Sequence, residues 1–286
     1  MVEERKVEEE MERSVRDLRR RAQQFLGLKV EYEPPKRIIQ WGEYTGIGKF
    51  EEPSEMPKEM RDLLLKMLTV QADTEFASIE QHSDTIFTAP TPSDRVKVAR
   101  IMVDEMRHGW QITQLLDQFG PEGRKAKEWV LAVRLGNHRL QAFNTPFSSW
   151  EDVLVFTFLV DRVGIYQLRA FEGSSYGPLA RAIPTMLMEE QLHVNFGFDG
   201  LKRMLKDSYQ GVKNRERAQK ALNKWFPMAL DMFGKTGSKS SEMAVRYGIK
   251  RWKNEEARQM YLREVEELIN ELGLEMPDPN VGRKVL

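Results

Sequence analysis

Glu105-Met-Arg-His108 and Glu190-Gln-Leu-His193 are two copies of one word, Glu-x-x-His, and their placement decides the fold. On a helix this spacing puts the carboxylate and the imidazole on the same face, one turn apart. Each word has a lone acid upstream, Glu75 for the first and Asp161 for the second. Glu75 and Glu105 are thirty residues apart, and their midpoint is Pro90, inside the breaker Ala89-Pro90-Thr91-Pro92. Asp161 and Glu190 are twenty-nine apart, centred between Ser175 and Tyr176, inside Gly173-Ser-Ser-Tyr-Gly-Pro178. Proline and glycine clusters of this kind end helices and turn the chain. Each acid and its partner thus lie about thirteen residues from the same turn, or ~20 Å at 1.5 Å per residue. Two antiparallel hairpins then bring six side chains to one height.

Two Glu-x-x-His words with one further carboxylate from each of two other helices form the side-chain set that holds a pair of iron or manganese ions in a four-helix bundle. The expectation is an all-α, ferritin-like bundle with metal ligands Glu75, Glu105, His108, Asp161, Glu190 and His193, which are also the candidate catalytic residues. With four histidines in the chain, two preceded by glutamate at this spacing arise by chance about 5% of the time against ordinary composition. The mirror placement about two breakers is a separate coincidence.

Helical periodicity fills in the rest. The core helices are expected at 57–87, 93–119, 149–172 and 178–207, with a further helix from Lys125 to Leu135 and a turn at Asn144-Thr-Pro146. Additional helices are expected at 212–235, 239–248 and 253–272, before a tail containing Pro277-Asp-Pro279. At the N-terminus, Val7, Met11, Val15, Leu18, Ala22 and Phe25 make an amphipathic stripe over 2–26. Residues 27–56 read as a loop with a short extended piece. One domain over 1–286 is expected, with the core bundle at about 57–207, an N-terminal arm 1–56 and C-terminal helices 208–286.

Composition removes whole classes of function. At 41% hydrophobic, 31% charged and zero formal net charge, the chain has no general attraction to nucleic acid or to an anionic membrane. No run approaches the ~18 apolar residues of a membrane span. MVEERKVEEE does not read as a signal peptide, so a cytoplasmic location is expected. There is no cysteine, hence no disulfide and no thiolate-held iron–sulfur cluster. No glycine fingerprint for a flavin or nicotinamide is present. If a metal pair held by these residues reduces dioxygen, its electrons must come from another polypeptide.

Around the six residues, the expectations are of lesser specificity. Asp161 follows the apolar run Val153-Leu-Val-Phe-Thr-Phe-Leu-Val160, where an ionised carboxylate needs a metal or a cation such as Arg162. His82 is expected to be a hydrogen-bonded helix residue, and Asp104 and Glu189 to be outer partners rather than ligands. Gly109, Gly164 and Gly197 make room for a ligand or for close helix packing. Phe76, Ile79, Ile101, Ile112, Phe158, Ile165, Met186 and Phe196 are expected around the metals, as core first and as pocket lining only for the few that face a cavity. Pro184 should break the helical ladder of the fourth core helix one to two turns before Glu190.

Several of these segments resemble one family. Thr74-Glu-Phe-Ala-Ser-Ile-Glu-Gln81 and Val155-Phe-Thr-Phe-Leu-Val-Asp-Arg-Val-Gly-Ile-Tyr-Gln-Leu168 are similar to the oxygenase component of benzoyl-CoA epoxidase. Ser175-Tyr-Gly-Pro-Leu-Ala-Arg-Ala182, Glu189-Glu-Gln-Leu-His193, Tyr247-Gly-Ile-Lys-Arg-Trp-Lys-Asn-Glu255 and Leu274-Glu-Met-Pro-Asp-Pro279 resemble the catalytic subunit of phenylacetyl-CoA epoxidase. The resemblance implies a di-iron monooxygenase that inserts one oxygen atom from O2 into the ring of an aromatic acyl-CoA. In that family the ligand positions match the six residues above, which argues for a catalytic rather than a scaffold subunit. It also implies NAD(P)H electrons through a separate flavin and iron–sulfur reductase, and partnership with a related scaffold subunit; a homo-oligomer is compatible with it. Phenylacetyl-CoA is the preferred substrate on chain length, with benzoyl-CoA as the alternative. A ferroxidase or iron-binding protein uses the same ligand set, and a fatty-acyl desaturase or small-hydrocarbon hydroxylase fits the metal site equally well.

Overall fold

Both breakers turn the chain, and local chemistry shows why. In the computed structural model, which describes residues 36–206 and 211–285, the first hairpin is α1 (Lys58–Ser83) and α2 (Pro92–Asp117). Pro92 occupies the first turn of α2, where its missing N–H costs nothing, and the Thr91 hydroxyl accepts from the Asp94 amide at 3.1 Å. The next helix, α3 (Gly120–Ala132), leads to a 3-10 turn at Gln141–Asn144. The second hairpin is α4 (Trp150–Phe171) and α5 (Gly177–Leu205). Ser149 caps α4 by accepting from the Asp152 amide at 3.2 Å. Then come α6 (Gly211–Asp231), α7 (Lys239–Arg246) and α8 (Asn254–Leu272), the last stopped by Gly273 at φ 65°.

The described residues belong to the compact unit Pro35–Leu286. Among them there is no strand, only two isolated bridges, Ile38 with Gly48 and Phe50 with Tyr176. The second bridge ties the irregular 36–56 segment to the α4–α5 turn through Phe50 N–H to Ser175 O at 2.9 Å. The amphipathic stripe expected over 2–26 lies outside the described residues. Among the described residues no helix is long and apolar enough to cross a membrane.

The most apolar helix is the most enclosed. Every residue of α4 from Val153 to Val160 is buried, so α4 packs on α5, α6 and α8 and forms the spine of the bundle. Its contact with α5 is tight at Gly197, where an added Cβ would fall 2.5 Å from the Phe158 amide nitrogen and 2.6 Å from the Leu154 carbonyl oxygen. Gly197 thus serves helix packing.

Three expectations need correction. The first core helix does not run to 87: it ends at Ser83, and a separate turn covers Thr85–Thr88. The Thr85 hydroxyl donates to the His82 carbonyl at 2.6 Å, competing with the ladder there. The helix expected from Lys125 begins earlier, because Gly120 at φ 67° turns the chain and Pro121 opens the new helix; it ends at Ala132. Pro184 does not break α5, which is continuous from Gly177 to Leu205. A helix-interior proline removes one backbone bond, and the neighbouring turns, packed on α4, carry the helix through.

Candidate metal centre

The two hairpins bring Glu75, Glu105, His108, Asp161, Glu190 and His193 into one buried cluster. Glu75 comes from α1, Glu105 and His108 from α2, Asp161 from α4, and Glu190 and His193 from α5. His108 Nδ1 lies 3.4 Å from Glu75 Oε2, 3.9 Å from Glu105 Oε2 and 3.3 Å from Glu190 Oε1. His193 Nδ1 lies 3.7 Å from Glu105 Oε1 and 3.5 Å from Glu190 Oε2. Glu105 and Glu190 therefore each turn one oxygen toward each imidazole. Potential ligand atoms of Glu75, Glu105, His108 and Glu190 lie within 4.8 Å of one another, as do those of Glu105, Asp161 and His193. The arrangement is two overlapping ligand groups that share a carboxylate.

The electrostatics are those of a cluster short of positive charge. Burial pushes the Glu105 carboxyl well up, and the charges of Glu190, Glu75 and Asp161 push it further. Asp161 is likewise raised by burial and by Glu190, against the opposing pull of His193. Burial alone would lower the histidines, but the facing carboxylates pull His108 up to about 9 and His193 up to about 10. Buried carboxylates at this density need cations or protons. Asp161 Oδ2 and both inward Nδ1 atoms are buried without a hydrogen-bond partner. Unused donor atoms converging from four helices fit metal ions, and the cluster can hold them.

The alternative to metal ligation, a pairing of Asp161 with Arg162, does not occur. The Arg162 guanidinium reaches Glu264 and lies over the Phe158 ring, since consecutive helical residues point about 100° apart.

Each imidazole is held from behind. His108 Nε2 lies 2.8 Å from Glu189 Oε2, which Arg107 contacts in turn, and His193 Nε2 lies 3.5 Å from Asp104 Oδ2. Burial would raise Asp104, but His193 and Arg100 more than offset it and hold the carboxyl low. The hydrogen bond on His108 Nε2 fixes that ring and leaves its Nδ1 free to coordinate, whereas Asp104 faces His193 Nε2 as a charge without a hydrogen bond. Two further partners escaped the sequence reading. Gln71 Nε2 donates to Glu75 Oε1 at 2.6 Å, and Ser78 Oγ donates to Glu105 Oε1 at 3.1 Å. Their positions, four before and three after Glu75, were the signal available. His82 does not join the cluster: its Nδ1 meets the Ser78 carbonyl at 2.9 Å, and its ring stands edge-on to Phe147 and Phe156. Burial holds it down at about 4, a neutral core histidine.

A cavity of about 360 Å³ opens onto the cluster between α1 and α4. Glu75, Glu105, Asp161 and Glu190 line it, whereas His108 and His193 do not. The carboxylates thus face the cavity and the imidazoles stand behind them. Its apolar wall includes Leu63, Met67, Val70, Val160, Leu168 and Phe171. None of the eight apolar residues expected around the metals lines this cavity. Ile101, Phe158 and Phe196 belong to one hydrophobic core cluster and Ile112 and Met186 to the other. Phe76 fills the space beside Gly109, where an added Cβ would meet its ring at 2.9 Å. Gly164 is different: it lines the cavity, and its nearest neighbour would be Glu190 Oε2 at 3.8 Å.

Comparison with known proteins bears on what this arrangement serves. Residues 28–284 match the family described as phenylacetic acid catabolic protein. The chain is 30% identical over 245 residues to benzoyl-CoA oxygenase component B of Aromatoleum evansii, covering 78% of this chain and 51% of that protein. It is 28% identical over 233 residues to one of the subunits of the 1,2-phenylacetyl-CoA epoxidase of Escherichia coli (strain K12), covering 80% of this chain and 74% of that one. The chain thus spans about half the length of the first relative.

Proposed function

This chain belongs to the phenylacetic acid catabolic protein family, and from that premise we propose that it is the oxygen-activating component of an aromatic acyl-CoA epoxidase. Phenylacetyl-CoA is the substrate we favour, because the segments around Glu190-Gln-Leu-His193 and at 247–255 and 274–279 resemble the catalytic subunit of phenylacetyl-CoA epoxidase. One observation carries the reading: four buried carboxylates open into a cavity with an apolar wall. Iron uptake alone needs no apolar chamber beside the carboxylates, whereas an organic substrate does.

In this reading Glu75, Glu105, His108, Asp161, Glu190 and His193 would hold a pair of iron ions, which would supply the reductive activation of dioxygen. The protein supplies orientation and exclusion of water. The apolar wall receives the aromatic ring, and Gly164 leaves the space beside Glu190 unfilled. Glu189 and Asp104 hold the two imidazoles in position, and Gln71 and Ser78 do the same for Glu75 and Glu105. The chain contains no cysteine, so no thiolate-held cluster can relay electrons within it. A separate reductase and a related scaffold subunit complete the system, and the single ferritin-like domain over 1–286 and the cytoplasmic location belong to the same reading.

The test is a single turnover. Protein loaded with ferrous iron is mixed with phenylacetyl-CoA, benzoyl-CoA or a saturated acyl-CoA under isotopically labelled dioxygen, with reductase supplied. Label in the ring of one aromatic thioester is the expected result and names the substrate. Iron oxidation with no labelled product, reductase and scaffold both present, would replace the proposal by a ferroxidase.

A further inference from the structure

One helix that carries metal ligands also carries an apolar stripe on its outer side. On α2, Val96, Val103, Met106 and Trp110 are 70%, 62%, 54% and 59% exposed. Val96, Val103 and Trp110 stand at seven-residue steps with Met106 between the last two, so they share one face of the helix. Large apolar side chains gathered in this way mark a contact surface.

The charges beside the stripe narrow the occupant. From Arg95 to Trp110 every charged side chain that reaches solvent is basic, namely Arg95, Lys97, Arg100 and Arg107, while Asp104 and Glu105 are buried. Tryptophan, methionine and arginine are enriched where proteins meet. The basic flanks call for an acidic rim on the partner, and they would set the α2 face of a second copy against like charge. The stripe spans fourteen residues, ~21 Å at 1.5 Å per residue, on a helix ~10 Å wide. A footprint of roughly 200 Å² suits a transient encounter, since a lasting contact takes ~800 Å² from each partner.

This face lies behind the imidazoles. His108 is buried on one side of α2 and Met106 and Trp110 are exposed on the other, so one helix thickness, ~10–12 Å, separates the cluster from solvent. The cavity reaches the carboxylates from between α1 and α4 instead. Two arginines join the face to the cluster. Arg107 contacts Glu189, whose Oε2 lies 2.8 Å from His108 Nε2. Arg100 Nε donates to both Asp104 oxygens, at 2.8 and 2.7 Å, and Asp104 faces His193. From this surface each imidazole is reached through one guanidinium and one carboxylate.

We propose that this face of α2 receives the electron donor, a one-electron carrier protein with an acidic rim seated on Val103, Met106 and Trp110 beside Arg100 and Arg107. The chain has no cysteine and so no thiolate-held relay of its own. Each encounter passes one electron from the carrier's reduced iron–sulfur group, which is oxidised, to metal held by the six-residue cluster, which is reduced. Two encounters take a ferric pair to a ferrous pair, and no bond is made or broken. Electrons and substrate then enter by different faces, so the carrier docks while the cavity is filled. This inference rests on the oxygenase reading above, and the test separates the two.

Binding of a flavin and iron–sulfur reductase is measured by calorimetry on the full chain, metal-free and iron-loaded, with the scaffold subunit present. Val103→Glu combined with Trp110→Glu removes no core, both side chains being mostly exposed. It should weaken binding roughly 10–100-fold, the effect of losing a central tryptophan. Arg95→Glu combined with Lys97→Glu should weaken it too, and more at low salt than at high salt. In stopped flow, reduction of the iron-loaded protein by the reductase should slow by a similar factor. Reduction by dithionite, metal content and melting temperature should match the parent. Parent-like reductase binding in the Val103→Glu, Trp110→Glu variant would overturn the proposal, as would a parent that binds no reductase. Loss of the scaffold subunit or of a parent dimer with reductase affinity unchanged would also overturn it, making the face a subunit seam. If the reductase binds through this face and no aromatic thioester acquires label, the docking face stands and the aromatic reading falls. Labelled product with the reductase bound elsewhere gives the reverse.

Discussion

Replacing Gly197 by alanine tests whether the α4–α5 seam sets the spacing of the cluster. The added Cβ would lie 2.4 Å from Thr157 Oγ1, 2.5 Å from the Phe158 nitrogen and 2.6 Å from the Leu154 carbonyl oxygen. The hydroxyl can rotate, but the two backbone atoms cannot. Reaching an ordinary carbon contact distance of ~3.5 Å requires the helices to part by about 1 Å at this crossing. Overpacking of this kind costs ~1–3 kcal/mol, while alanine in place of helical glycine returns at most ~1 kcal/mol. A net loss of ~1–2 kcal/mol at ~2–4 °C per kcal/mol lowers the melting temperature by about 2–8 °C. Thr157 is one turn before Asp161, and Gly197 one turn after His193, so the parting is felt at the cluster. Metal content, read by mass spectrometry of the purified protein, should fall with the melting temperature. Gly164→Ala is the control, because its nearest neighbour at 3.8 Å is in ordinary contact; stability should hold or rise by up to ~1 kcal/mol. An unchanged melting temperature and full metal content in Gly197→Ala would refute the reasoning.

Glu105→Ala and His193→Ala should each abolish binding of a full metal pair while the far-ultraviolet dichroism stays helical; two tightly held irons in either variant would remove the assignment. Glu189→Gln and Asp104→Asn should weaken metal affinity about 10–100-fold, as expected for partners that orient an imidazole, and competition with a chelator measures it. In metal-free protein His108 and His193 bind protons more tightly folded than unfolded. Their contribution to stability is therefore complete below the ordinary histidine value of 6.5 and is lost as pH rises through about 9 to 10. Glu105 and Asp161, also raised, act in the same direction. Melting temperatures of chelator-treated protein should fall steadily from pH 6.5 to 9.5, and a rise over that window would contradict the charge balance described here.

Local patterns made the bundle and its six-residue cluster legible. Helix-breaking clusters and the three-residue Glu-to-His step are short-range features, and the mirror placement of the acids about the turns sets their height in a bundle. Gln71 and Ser78 stood at helical spacing from Glu75 and were open to the same argument. Asp104 and Glu189 were anticipated as outer partners, although which imidazole each would meet depended on the neighbouring helix. The failures were of another kind. Pro184 lies inside a continuous α5 because packing against α4 outweighs one lost backbone bond. The apolar residues expected around the metals are core first, as their positions suggested, but none of them lines the cavity, since the direction in which a bundle leaves a gap depends on how far α1 and α4 stand apart. What the sequence alone determined is the set of residues at one level of a four-helix bundle, because turns and helical periodicity act over a few residues. The tertiary structure alone decided where the cavity opens and which glycine serves packing and which leaves space, because these depend on distances between helices that no local pattern encodes.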